Sequence, residues 1–159
     1  MLGVGREPQN GYRITFAVPT EPQGAAAARR VAREILVDWG LDLDDPVVDS
    51  SIVIISELVT NTAKHAAVLC NQADVTLSLD YDCLLVAVHD RHPHRPKALL
   101  NPHPDDSGGW GLQLVLDLAT EAGGHTDVPA DPDGGGKTVR VFLPLRLAAA
   151  RAYTEMGAA

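Results

Sequence analysis

Glu57, Asn61, Lys64 and His65 fall within one short run, SELVTNTAKHA, at residues 56–66. A carboxylate can take a proton from an attacking group, and an amide carbonyl is a hard oxygen ligand suited to Mg²⁺. An ammonium beside them supplies positive charge for an anion. In a helix, residues four apart stand one above the other, so Glu57, Asn61 and His65 form a column with Lys64 alongside. The chain leading into this column is mostly apolar, with Val47, Val48, Ile52, Val53, Ile54 and Ile55. A solvated face is the ordinary explanation of polar residues on a helix. Here the helix is apolar on nearly every other side, and a polar seam in a mostly buried element lines a cavity. Its residue types point to metal-assisted phosphoryl transfer.

Three further features bear on that chemistry. Ser107-Gly108-Gly109-Trp110-Gly111-Leu112 puts three glycines where a loop becomes a helix. Glycines allow close approach of a ligand to backbone, and helix N-termini present free N–H groups to phosphate. Asp90 ends an apolar strand, where a carboxylate can accept a hydrogen bond from an exocyclic amine such as that of adenine. Gly135-Gly136-Lys137-Thr138 turns into a last strand with a hydroxyl at its mouth. Each has a plainer reading when taken alone: a flexible loop, a turn-initiating Asp, an ordinary turn.

Other motifs carry less. His89, His92, His94 and His103 cluster in sequence, yet no cysteine accompanies them and no two stand four apart on a helix, as a zinc site would favour. GGGKT at 134–138 lacks the spacing of a phosphate-binding P-loop and leads into a strand rather than a helix. Trp110, between glycines, reads as a partly buried core residue, with a partner or lid contact as the alternative.

The elements that must position these groups follow from periodicity. Residues 12–18 alternate as a strand. Thr20-Glu21-Pro22-Gln23 resembles a capping box opening a helix, whose Ala28, Val31, Ala32, Ile35 and Trp39 share one side before Gly40 ends it. Asp45 caps a second helix with Pro46 in its first turn, running to about residue 67 on a stripe of Val48, Ile52, Ile55, Val59 and Ala66. Residues 75–79 and 83–88 form a hairpin through Tyr81-Asp82. Residues 91–108 hold four prolines and no period, a long loop of the functional or mobile kind. Leu112, Val115, Leu116 and Ala119 mark a third helix, and residues 137–143 a last strand. The sum is an α+β two-layer sandwich, three helices on a mostly antiparallel sheet.

Composition bounds the function classes. The chain has 159 residues and a formal net charge of −8. One domain is expected over residues 11–147, after a loose leader at 1–10 and before a peripheral alanine-rich tail at 148–159. The negative charge argues against direct binding to nucleic acid or to an anionic membrane. No apolar run approaches the roughly 18–20 residues needed to span a bilayer. The start of the chain lacks the apolar stretch of a signal peptide. Cys70 and Cys83 make no framework, and a reduced pair in the cytoplasm is expected.

Order and spacing carry more than any single motif. E-x-x-x-N-x-x-K-H on a helix, Asp at a strand end, G-x-G-L at a helix start and G-K-T entering the last strand resemble the GHKL ATPase superfamily. The compact domain and the SELVTN wording are most similar to the anti-sigma-factor serine/threonine kinases, especially small actinobacterial ones. The resemblance covers about residues 12–145. It implies a Bergerat-type ATP-binding fold using ATP and Mg²⁺. Glu57 would be the general base and Asn61 the Mg²⁺ ligand, with Lys64 and His65 near phosphates or lid. Asp90 would bind the adenine amine, directly and through water, with support from Thr138. Gly109, Gly111 and Leu112 would receive the phosphates, and 91–108 would be the lid.

The resemblance also implies protein partners: a sigma factor, and an anti-sigma-factor antagonist whose serine is phosphorylated. Homodimers are common in that family. One departure stands out. The family's usual glycine two residues after the Asp is absent, since Asp90 is followed by Arg91-His92-Pro93. Two other readings remain open: an ATP-responsive module that sequesters a partner without phosphoryl transfer, and a detached histidine-kinase-type ATPase domain.

Overall fold

A computed structural model describes residues 3–4, 11–67, 69–93 and 109–145. In chain order the elements are β1 (Gly3–Val4), β2 (Gly11–Pro19), α1 (Gly24–Asp38), α2 (Pro46–His65), β3 (Gln72–Asp80), β4 (Cys83–Asp90), α3 (Gly109–Glu121), β5 (His125–Asp127) and β6 (Lys137–Pro144). The strands form one sheet in the order β1-β2-β3-β4-β6-β5, and every described pairing is antiparallel. The helices pack on one face, giving the two-layer α+β sandwich read from the sequence.

Alternation decides which face of each strand is buried. Phe16 and Val18 on β2, Val75, Leu77 and Leu79 on β3, Leu84, Val86 and Val88 on β4, and Val139, Val141 and Leu143 on β6 all point to the helices. They meet Ala28, Ala32, Ile35 and Leu36 of α1, Val48, Ile52, Ile55 and Val59 of α2, and Leu112, Val115 and Ala119 of α3. A period of two thus faces a period of 3.6 across one dry layer. The central helix, α2, starts as its sequence requires: the Asp45 carboxylate accepts hydrogen bonds from the backbone N–H groups of Val47 (2.8 Å) and Val48 (3.3 Å).

Two expectations are corrected and one strand is added. The run 20–23 does not cap α1; Gln23 stands at the N-cap without a side-chain cap, and the Thr20 hydroxyl donates to the Cys70 carbonyl at 2.8 Å. A β-carbon on Gly24 would collide with the Pro19 carbonyl, so only glycine fits where the chain enters α1. The leader is not wholly loose either, because Gly3 and Val4 pair with Thr15 and Ile14 of β2. Finally, β5 had no sequence signal in its three residues. It is held from its neighbour, by His125 stacked on Phe142 and by Arg140 paired with Asp127.

Candidate functional site

The polar residues expected to form a seam all lie on α2. Ser56, Glu57, Thr60 and Asn61 are half-buried in a helix whose Leu58, Val59 and Thr62 are buried, while Lys64 and His65 are exposed in its last turn. Cations at a helix C-terminus complement its dipole. Arg29 of α1 donates to the Ser56 hydroxyl at 2.6 Å, fixing the helix pair beside the seam.

Glu57 reaches from α2 to the start of α3. A β-carbon on Gly111 would run into Glu57 Oε2, so the carboxylate lies directly against the glycine's Cα. Two motifs more than fifty residues apart in sequence are thereby joined: the seam and the glycine-rich helix start. Gly109 opens α3, and the side chain of Leu112 turns into the core. Leu112 therefore offers a ligand its backbone alone. The side chain of Trp110, the lid beyond residue 93, and His94 and His103 lie outside the described residues.

Asp90 shares the inward parity of Leu84, Val86 and Val88 and is 4% exposed. Its Oδ1 accepts from Lys137 Nζ at 2.7 Å and from the His92 N–H at 3.0 Å; its Oδ2 accepts from the Thr62 hydroxyl at 3.2 Å. Asp90 is thus fastened to α2 and β6 at once. Thr138 is not brought to it. In the β4–β6 ladder Asp90 faces Lys137, while Thr138 faces His89, and consecutive strand residues point to opposite sides of the sheet. The support expected from Thr138 comes from Lys137, which the motif reading passed over. The available signal was parity, since Lys137 begins the inward run continued by Val139, Val141 and Leu143.

The sequence Arg91-His92-Pro93 has work of its own. Arg91 Nη1 donates to Asp131 at 2.6 Å, and Nη2 to Asp133 at 2.8 Å, locking the strand end to the turn before β6. His89, on the outer face, bonds Asp131 at 2.9 Å. The His89 hydrogen bond, with Arg91 adding to it, holds the Asp131 carboxyl below its ordinary range, and the Arg91 bond pulls Asp133 down to about 2. The same carboxylates raise the Arg91 guanidinium further. His92 has no positive φ, so the missing glycine leaves no strained backbone there. Among the described residues no group of three or more His, Cys, Asp or Glu side chains is arranged to hold a metal ion.

An open cleft of about 580 Å³ lies just beyond the C-terminal end of α2, lined by Asp90 together with Leu69, Cys70, Asn71, His89 and Arg91 among others. Glu57, Asn61 and Gly111 do not line it. No described helix is long and apolar enough to cross a membrane.

No curated protein matches the sequence. Among solved structures, the fold is similar to the RsbU and RsbW domains of Rv1364c from Mycobacterium tuberculosis, with TM-score 0.57 and 20% identity over 84% of this chain. This chain spans 34% of that one, about a third of its length. It is also similar to the histidine kinase domain of the blue-light activated histidine kinase EL346 from Erythrobacter litoralis, with TM-score 0.54 and 21% identity, covering 94% of this chain and 74% of that one. The profile described as histidine kinase-, DNA gyrase B- and HSP90-like ATPase matches residues 49–147, from the first turns of α2 past the end of β6. Over the stretch that holds the seam, Asp90, the glycine-rich helix start and Lys137, the chain belongs to the family of histidine kinase-, DNA gyrase B- and HSP90-like ATPases.

Proposed function

We propose that this protein is an ATP- and Mg²⁺-dependent serine/threonine kinase that acts as an anti-sigma factor. It phosphorylates a serine of an anti-sigma-factor antagonist and binds a sigma factor. The observation that carries the reading is the contact of Glu57 with Gly111, one helical turn from Asn61. The Glu57 carboxylate lies against the start of α3 and shares α2 with Asn61, which supports roles for these residues toward phosphates and Mg²⁺. The SELVTN motif and the fold likeness to a chain containing an RsbW domain support the anti-sigma assignment. Pairing as a homodimer in the cytoplasm belongs to the same reading.

The donor set fits the ligand. Asn61 offers a carbonyl, Gly109 and Gly111 offer close backbone at the start of α3, Lys64 offers charge, and Asp90 offers an acceptor for the adenine amine. Bound ATP supplies the γ-phosphoryl group, with Mg²⁺ screening its oxygens. The chain's own part is to hold that group in line and to let Glu57 take the proton of the incoming serine hydroxyl.

Incubation of the full chain with γ-labelled ATP and antagonist proteins encoded beside it tests the assignment. Label should pass to the antagonist. Sigma binding that responds to ATP, with no label transferred, would make the protein a non-catalytic binding module instead. Asn61→Ala should lose most of the Mg²⁺-dependent part of ATP affinity, measured by titration with and without the metal. If metal dependence survives intact, Asn61 is not the ligand.

Gly111→Ala separates positioning from folding. Alanine is favoured over glycine in a helix by about 1 kcal/mol, and the atom it meets is the free end of a flexible side chain. The melting temperature should hold or rise slightly. Yet Glu57 must move aside, and a displacement of about 1 Å can cost about 10²-fold in rate. Parent-like turnover in a folded Gly111→Ala would show that the position of Glu57 is not critical.

A further inference from the structure

Asp90 and Lys137 form a buried ion pair at the last rung of the β4–β6 ladder, with side chains 4% and 6% exposed. Removing one partner of such a pair is strongly destabilising, whereas hydrophobic residues in place of both are often as stable. Stability alone is therefore a weak reason for a lysine here, among inward-facing valines and leucines.

Donor accounting indicates another role. An ammonium has three N–H donors. Lys137 Nζ uses one on Asp90 Oδ1 at 2.7 Å and one on the His92 carbonyl at 3.2 Å. The third is committed to no described residue. On the carboxylate, among the described residues Oδ1 accepts twice while Oδ2 accepts only from the Thr62 hydroxyl, which leaves a lone pair of Oδ2 uncommitted to any of them. With respect to the described residues, a cation with an uncommitted N–H thus stands beside an anion with an uncommitted acceptor.

We propose that Lys137 is a base-reading residue that donates its third N–H to ring N1 of adenine while Asp90 Oδ2 accepts from the 6-amino group. This rests on the reading that the nucleotide base enters at Asp90. Adenine's edge presents a donor at the 6-amino group next to an acceptor at N1. Hypoxanthine and guanine reverse both, with an acceptor at O6 and a donor at N1. The Asp90–Lys137 pair complements the first pattern and opposes the second, so the lysine adds discrimination that a lone carboxylate does not provide.

Titration calorimetry of the full chain with Mg²⁺-ATP, Mg²⁺-1-deaza-ATP and Mg²⁺-ITP tests this. In 1-deaza-ATP a C–H replaces N1, which removes the acceptor and keeps the amine. It should bind about tenfold to a hundredfold more weakly than ATP, the range expected for losing one hydrogen bond to a charged group. ITP should bind more weakly still. In Lys137→Met, the gap between ATP and 1-deaza-ATP should close. If that variant fails to fold, the comparison on the parent protein decides alone. Equal affinity of the parent for ATP and 1-deaza-ATP overturns the role of Lys137 while leaving the ATP reading intact. A folded Lys137→Met that still prefers ATP over 1-deaza-ATP also overturns it. If none of the three nucleotides binds, the ATP reading itself fails and this inference with it.

Discussion

Glu57→Ala should bind Mg²⁺-ATP within a few-fold of the parent and lose phosphoryl transfer by about 10²–10⁴, the usual worth of a positioned general base. The expectation comes from where the carboxylate sits. Its backbone belongs to the most deeply packed helix, between buried Ile55 and Leu58–Val59, but its own side chain is half-buried and spans to Gly111 at the start of α3. Cutting it back leaves the core untouched. A charge lying near a triphosphate repels it in the ground state, so the alanine variant can bind slightly more tightly. Chemistry and binding should therefore separate. Measured kcat for antagonist phosphorylation and Kd for ATP give the two quantities independently. Loss of binding along with turnover would make Glu57 a ligand-orienting group, and parent-like turnover would remove it from the mechanism.

Asp90→Ala should be the most damaging single change to the fold among the site residues. It leaves the Lys137 ammonium buried without its counter-charge and takes an acceptor from the His92 N–H and the Thr62 hydroxyl. Breaking a buried pair in this way costs about 3–5 kcal/mol. For a domain of this size that lowers Tm by about 10 °C. Nucleotide binding should vanish as well, since the proposed base acceptor is gone. The double variant Asp90→Ala/Lys137→Met should recover much of the stability and none of the binding. Denaturant melts of the two variants decide the first half and nucleotide titration the second. A single variant as stable as the parent would mean that the pair is solvated in solution.

The fold was largely legible because its two periodicities are clean. Val75, Leu77 and Leu79 alternate, Val48, Ile52, Ile55 and Val59 repeat at helical spacing, and Asp45-Pro46 marks a helix start that the structure honours. The seam was legible for the same reason, since polar residues four apart on an apolar helix stand out. The partner of Asp90 was not. G-K-T offers a hydroxyl that fits a familiar role, but the register of β6 against β4 decides which side chain reaches the carboxylate, and that register selects Lys137. The capping box at 20–23 failed on a tertiary contact, the Thr20 bond to Cys70 some fifty residues away. β5 escaped notice because its stability resides in Phe142 and Arg140 rather than in its own three residues.

ATP binding underlies every functional claim made for the chain, and it can be measured on the protein alone, without a partner. A ligand that prefers the folded state raises the melting temperature by mass action, by an amount set by its concentration over Kd. Millimolar ATP with Mg²⁺ should shift the melt upward, ATP with EDTA should shift it less, and Asn61→Ala should make those two conditions alike. Parent protein that melts at one temperature with and without millimolar Mg²⁺-ATP would contradict the account.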